Sequence, residues 1–124
     1  MDWRALDIFK GIDLNDSLVI DWSLENNRLK FDLIASIWPE SDFYYPPKKD
    51  EYTCYRNALI SFENITSITG LLSKESVKPS TDADGSIDYG NIDTLTVLED
   101  KFELIGDFGK VEINGGALKF EVLE

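Results

Sequence analysis

The sequence predicts an all-β protein, mainly antiparallel, folded as a single β domain over residues 1–124 in the form of a sandwich or barrel with one short N-terminal helix. Three observations carry this. Apolar residues recur at every second position through the segments 18–38 and 101–123, the period of a half-buried strand. Pairs of asparagine and glycine, which tolerate positive φ, stand between those runs as turn signals. The runs follow one another closely, about seven to nine in one small chain, the spacing expected of a sandwich or barrel.

In order along the chain, Asp2 is placed to cap a brief helix carrying Trp3, Leu6 and Phe9 at three-residue spacing, closed by Gly11. Leu18, Ile20, Trp22 and Leu24 then alternate with Val19, Asp21, Ser23 and Glu25. Asn26-Asn27 suits a two-residue hairpin, after which Leu29, Phe31, Leu33, Ala35 and Ile37 define the next inward face. Pro39 ends that strand. A loop rich in tyrosine follows, and strand character returns near Tyr52 in YTCYRNALISF and again in NITSITGLL. Residues 73–86 are polar and rich in breakers, hence a long loop. Four further strands are expected after residue 90. Gly106 and Gly109 around Asp107-Phe108 suit a bend or bulge, and Gly115-Gly116 suits a hairpin turn.

Composition narrows the chemistry. A chain of 124 residues, 43% of them hydrophobic, is long enough to bury one core. There is one cysteine, Cys54, and no histidine. An intramolecular disulfide, a multi-cysteine zinc site and catalysis through a histidine base within the chain are all excluded. Cys54 sits in a strand pattern and is expected to be buried. The 24 acidic against 12 basic residues give a net charge of −12. That charge serves solubility or, in the sharper reading, a basic partner such as a nuclease, another basic protein or a cation, and it disfavours nucleic acid, whose phosphates would be repelled. No apolar window approaches the roughly 18 residues of a membrane span, and the opening MDWRALDIFKG lacks the apolar run of a signal peptide. The expectation is therefore a cytoplasmic protein with no membrane association and no cofactor, and Asn64-Ile65-Thr66 as polar residues around a core isoleucine.

Three constellations bear on function. The segment STDADGSIDYGN places Asp82, Asp84 and Asp88 at calcium-loop spacing with Gly85 at the turn, but Ser80 and Asn91 replace the carboxylates at its two ends, and strand-like flanks replace the helices. An acidic turn is the favoured reading. Asp88, Asp93 and Asp107 lie beside aromatics and glycines and are the least ordinary acids for carboxylate chemistry. Finally, SDFYYPPKKDEYTCYRN holds four of the five tyrosines beside two prolines. Tyrosines on a stiffened loop among charges have the makeup of an interface anchor. Tyr44 and Tyr45 are expected to be exposed, and with Asp42, Asp50 and Glu51 they form the predicted partner-binding set.

The stretch SDFYYPP resembles the tyrosine-pair segment of colicin DNase immunity proteins, with one residue fewer between Ser-Asp and Tyr-Tyr. Those proteins are small helical bundles, so the likeness is confined to these seven residues. Over most of its length the chain resembles small bacterial all-β proteins of uncharacterised function, including immunity-like families of polymorphic toxin systems. DSLVIDWSLENNRLKFDL, ALISFENI and FELIGDFGKVEI carry that similarity. It implies neutralisation of a toxin. The leading expectation is thus a non-catalytic protein-binding module, an immunity protein acting on a basic toxin. A small-ligand-binding β-barrel and a carboxylate-dependent enzyme are the alternatives. Self-association through an exposed strand edge is neither required nor forbidden by the sequence.

Overall fold

The computed structural model describes residues 1–47, 49 and 53–123. The period-two runs become ten strands: β1 (Ile12–Glu25), β2 (Arg28–Ile37), β3 (Cys54–Glu63), β4 (Ser67–Leu71), β5 (Ser80–Thr81), β6 (Ile87–Asp88), β7 (Ile92–Val97), β8 (Lys101–Gly106), β9 (Gly109–Asn114) and β10 (Ala117–Val122). One sheet has the order β1-β2-β3-β10 and the other β4-β9-β8-β7, and β5 pairs with β6 in a separate small hairpin. All pairings are antiparallel. The architecture is a sandwich of two sheets, which settles the choice left open between sandwich and barrel.

The core lies between the sheets. β2 contributes Leu29, Phe31, Leu33, Ala35 and Ile37, all buried, and β3 contributes Cys54, Ala58, Ile60 and Phe62. β8 and β9 answer with Phe102, Leu104, Val111 and Ile113. Aromatic rings link the two layers: Phe31 meets Phe108 at 4.8 Å and Phe62 meets Phe102 at 5.1 Å between centroids, distances at which tilted ring pairs are favourable. Cys54 is buried, as its strand position implied. Ile65 is buried as well.

Several turns follow the sequence closely. Asn26 and Asn27 have φ of 52° and 62° and join the paired ends Glu25 and Arg28, a two-residue hairpin. Asp107-Phe108 joins β8 to β9, with Gly106 opposite Gly109. Phe108 turns inward from this tip and is fully buried.

Four expectations need correction. The N-terminal helix is instead two 3-10 turns, Trp3–Ala5 and Asp7–Phe9. Asp2 does cap the first, accepting the Arg4 N–H, but the short segment is held by burying Trp3 and Phe9 rather than by helical propagation. Gly115-Gly116 does not close a hairpin: with φ of 72° and 93° it carries the chain from β9 in one sheet to β10 in the other. In β1 the strict alternation fails. Four residues, Leu14–Ser17, stand opposite Ala35, and Ile20 is left out of the ladder between Val19 and Asp21. These bulges reverse the phase, so Leu14, Val19 and Trp22 point inward while Leu18 and Ile20 are half-buried. Ser17 stabilises the distortion by donating to the Asp13 carbonyl at 2.6 Å and accepting the Ser36 N–H at 3.0 Å. Lastly, residues 73–86 include a 3-10 turn and β5, so the long loop has some structure of its own.

The sheet margins differ. The far side of β1 is tied to the next segment by Val19 N–H to Gly90 O and Tyr89 N–H to Val19 O, both 2.8 Å. Asn15 adds bonds to the carbonyls of Ile92 and Asp93. Asp2 bridges to Thr96 on the outer side of β7, and Val97 N–H donates to Met1 O. At the opposite margin β4 is interrupted by a register shift near Gly70, whereas β10 runs along β3 without a break.

Candidate functional site

A concavity walled by aromatic side chains lies where the two 3-10 turns meet the start of β1 and the turn after β2. It encloses about 540 Å³. Trp3, Leu6 and Phe9 form its apolar wall, Trp38 and Glu40 its rim, and Arg4, Asp7, Lys10 and Asp13 its charged border. Each part has a local cause. Trp3 and Phe9 are anchored at 6.4 Å edge-to-face, and Phe9 packs on Phe120 at 5.2 Å. Gly11, at φ +72°, lets the chain pass tightly against Ser41, where a Cβ would overlap the Ser41 backbone. Its carbonyl accepts the Trp38 N–H at 2.7 Å, which fixes the rim against the turns.

Trp38 is the first residue beyond β2, on the face opposite Ile37, and Pro39 prevents the ladder from covering it. Half of it is exposed, at 50%. Arg4 is held over the Trp3 ring at 4.5 Å and bonded to Asp2 and Asn15. The Trp3 Nε1 hydrogen is buried and has no acceptor among the described residues, an arrangement that native proteins seldom leave unexplained. The Asp2 carboxyl is lowered below its ordinary value, chiefly by the Arg4 backbone N–H.

The tyrosine loop begins at this rim. Asp42 and Phe43 are exposed, Phe43 at 43%. Tyr44 and Tyr45, expected to be exposed, are half-buried and packed against the core. Tyr45 donates its hydroxyl to the Tyr55 carbonyl at 2.8 Å, and Arg56 lies 5.9 Å from its ring centroid while bonding the Phe43 carbonyl. Those links tie Tyr45 to β3, while Tyr44 is held by packing against the core. Asp50 and Glu51 lie outside the described residues. Of the described members of the predicted set, Asp42 is exposed and Tyr44 and Tyr45 are partly so. Sequence reasoning missed Trp38 and Glu40. The available signal was an aromatic out of phase with the inward face of its strand and followed by proline.

The other acidic constellations are not part of the lining of this cavity. Asp82 and Asp84 are occupied with Ser86, and Asp84 is lowered mainly by the Ser86 hydroxyl. Asp88 is buried in β6 and accepts the Gly90 N–H at 2.9 Å. Among the described residues no group of three or more His, Cys, Asp or Glu side chains is placed to hold a metal ion. Asp107 lies against Gly90, where a Cβ would come within 2.8 Å of its Oδ2, while Asp93 is exposed. Among the described residues no helix is long and apolar enough to cross a membrane. No protein-family model, curated protein or solved structure matches the chain.

Proposed function

We propose that this protein is a non-catalytic protein-binding module, and that it grips a basic partner at the cavity rimmed by Trp38. The observation that carries the reading is the half-exposed Trp38 beside an aromatic-walled cavity whose lining includes Asp7, Asp13 and Glu40, with the exposed Asp42 four residues beyond Trp38 in the chain. Tryptophan is, with tyrosine and arginine, one of the residues enriched at interface hot spots. Surrounding acids in a chain of net charge −12 would draw in a basic surface and exclude acidic ones. An immunity protein that neutralises a basic toxin is the finer form of this proposal, supported by the same charge and by the resemblance of the sequence to immunity-like families.

A photo-crosslinking residue at position 5, where the exposed Ala5 lines the same cavity, tests it directly. A basic protein should be captured there, and less of it when the salt is raised before irradiation, and a crosslinker at Ile105, on the exposed outer face of the second sheet, should capture nothing comparable. Trp38→Ala should weaken that binding by about 2 kcal/mol or more, while the melting temperature scarcely changes because the side chain is half in water. Equal capture at both positions would refute the site.

A second reading has one specific support. About 540 Å³ lies within the range of small-ligand pockets. A small-ligand binder would use this lateral cavity and not the mouth of a barrel. Native mass spectrometry showing a retained small molecule, lost in Trp38→Ala, would favour it over the protein partner.

A further inference from the structure

We propose that the edge of β10, which no other described strand pairs with, is a self-association surface, on which a second copy of this chain pairs antiparallel about a two-fold axis through Phe120. The two four-stranded sheets would then join into one.

The backbone defines the edge. Leu123 N–H donates to Asn57 O at 2.8 Å, continuing the register in which Val122 faces Ala58. Directly opposed residues that exchange such bonds alternate with ones that do not. Ala117, Lys119 and Glu121 therefore direct their backbone groups toward β3. Leu118, Phe120 and Val122 direct theirs to the open side, where the sheet order ends. The other margins carry the protections that strand edges commonly have: bonds from residues 89–93 along β1, the Met1-Asp2 segment along β7, and a register shift in β4. β10 has no proline, glycine or bulge.

Charge selects the occupant and the register. With Phe120 opposite itself, Lys119 faces Glu121 of the second copy, twice by symmetry, and Leu118 faces Val122. Shifting the axis to Lys119 sets lysine against lysine, and shifting it to Glu121 sets glutamate against glutamate. Like charges directly opposed are unfavourable and opposite ones favourable. The Phe120-centred register also uses all three open residues for hydrogen bonds. Lys119 and Glu121 are exposed, although Lys119 lies 3.5 Å from Glu63 in its own chain. Leu118, Phe120 and Val122 are half-buried at the margin of the core and would extend that apolar layer across the axis. At −12 per copy the long-range repulsion opposes pairing, so the association belongs at physiological ionic strength, where it is screened beyond about 8 Å.

Sedimentation velocity over a concentration series should show a reversible monomer–dimer equilibrium. Lys119→Glu and Glu121→Lys should each weaken it about tenfold or more. The double variant restores both the pairing and the net charge, and should recover the wild-type dissociation constant. Hydrogen exchange on the wild type needs no variant. The amides of Leu118, Phe120 and Val122 should gain protection as concentration rises, while those of Lys119 and Glu121 are protected throughout. A monomer at every concentration, a dimer indifferent to the charge reversals, or amides at 118, 120 and 122 that never respond would each overturn the proposal.

Discussion

Replacing Phe108 by alanine tests the idea that the β8–β9 turn pins the two sheets together. The ring is fully buried although it sits at the tip of a two-residue turn. It meets Phe31 at 4.8 Å and Trp22 at 6.2 Å, both from the opposite sheet, and it fills the space where a Cβ on Gly106 would otherwise stand. Truncation removes these contacts and leaves a cavity bounded by β1, β2 and the turn. Phe→Ala changes at such sites cost about 3–5 kcal/mol. A domain of this size has about 6–19 kcal/mol of stability at ordinary values per residue, so the variant should fold but with a large part of that margin gone. Its unfolding entropy should be about 0.26 kcal/mol per kelvin, and a loss of about 4 kcal/mol then lowers Tm by about 15 °C. Urea denaturation and calorimetry measure the two quantities independently. Phe108→Leu refills much of the volume and should cost about 1–2 kcal/mol. A loss below about 1.5 kcal/mol in the alanine variant would mean that the ring is not the link between the layers.

Tyr45→Phe should cost about 1 kcal/mol in urea denaturation, because it removes the 2.8 Å bond to the Tyr55 carbonyl; an unchanged midpoint would return the ring to the role of a free contact residue. Asp2 titrates below the ordinary aspartate value of 3.8 because it accepts the Arg4 backbone N–H. Its contribution is complete above 3.8 and is lost as pH falls through the lower folded value, so the Arg4 amide resonance should shift in that acid range and stay still in Asp2→Asn. Gly70→Ala should destabilise by more than about 1 kcal/mol, since φ is +88° and the new Cβ would overlap the Lys110 carbonyl. Amide exchange confined to β4 and β9 should accelerate first.

The sequence by itself determined the fold class, the inward face of β2, the Asn26-Asn27 turn, the burial of Cys54 and the crowd of strands after residue 90. These are local facts: period-two burial and positive-φ turn chemistry are written in neighbouring residues. It did not determine the partner of each strand. Gly115-Gly116 has the same local signature whether the chain turns back within one sheet or crosses to the other, and the position of β3 decided that outcome. The phase of β1 depended on bulges whose polar groups are satisfied by Ser17, Ser36 and residues 89–93, far apart in the chain. Tyr44 and Tyr45 read as exposed because a loop flanked by charges suggests water on every side, yet β3 offered one of them a carbonyl and both a core to pack against. The cavity at Trp38 exists because Gly11 and Ser41, 30 positions apart, come into contact. Burial along a strand follows from its own residues, but a concave surface needs two segments to meet, and that meeting is fixed by the packing of the whole domain.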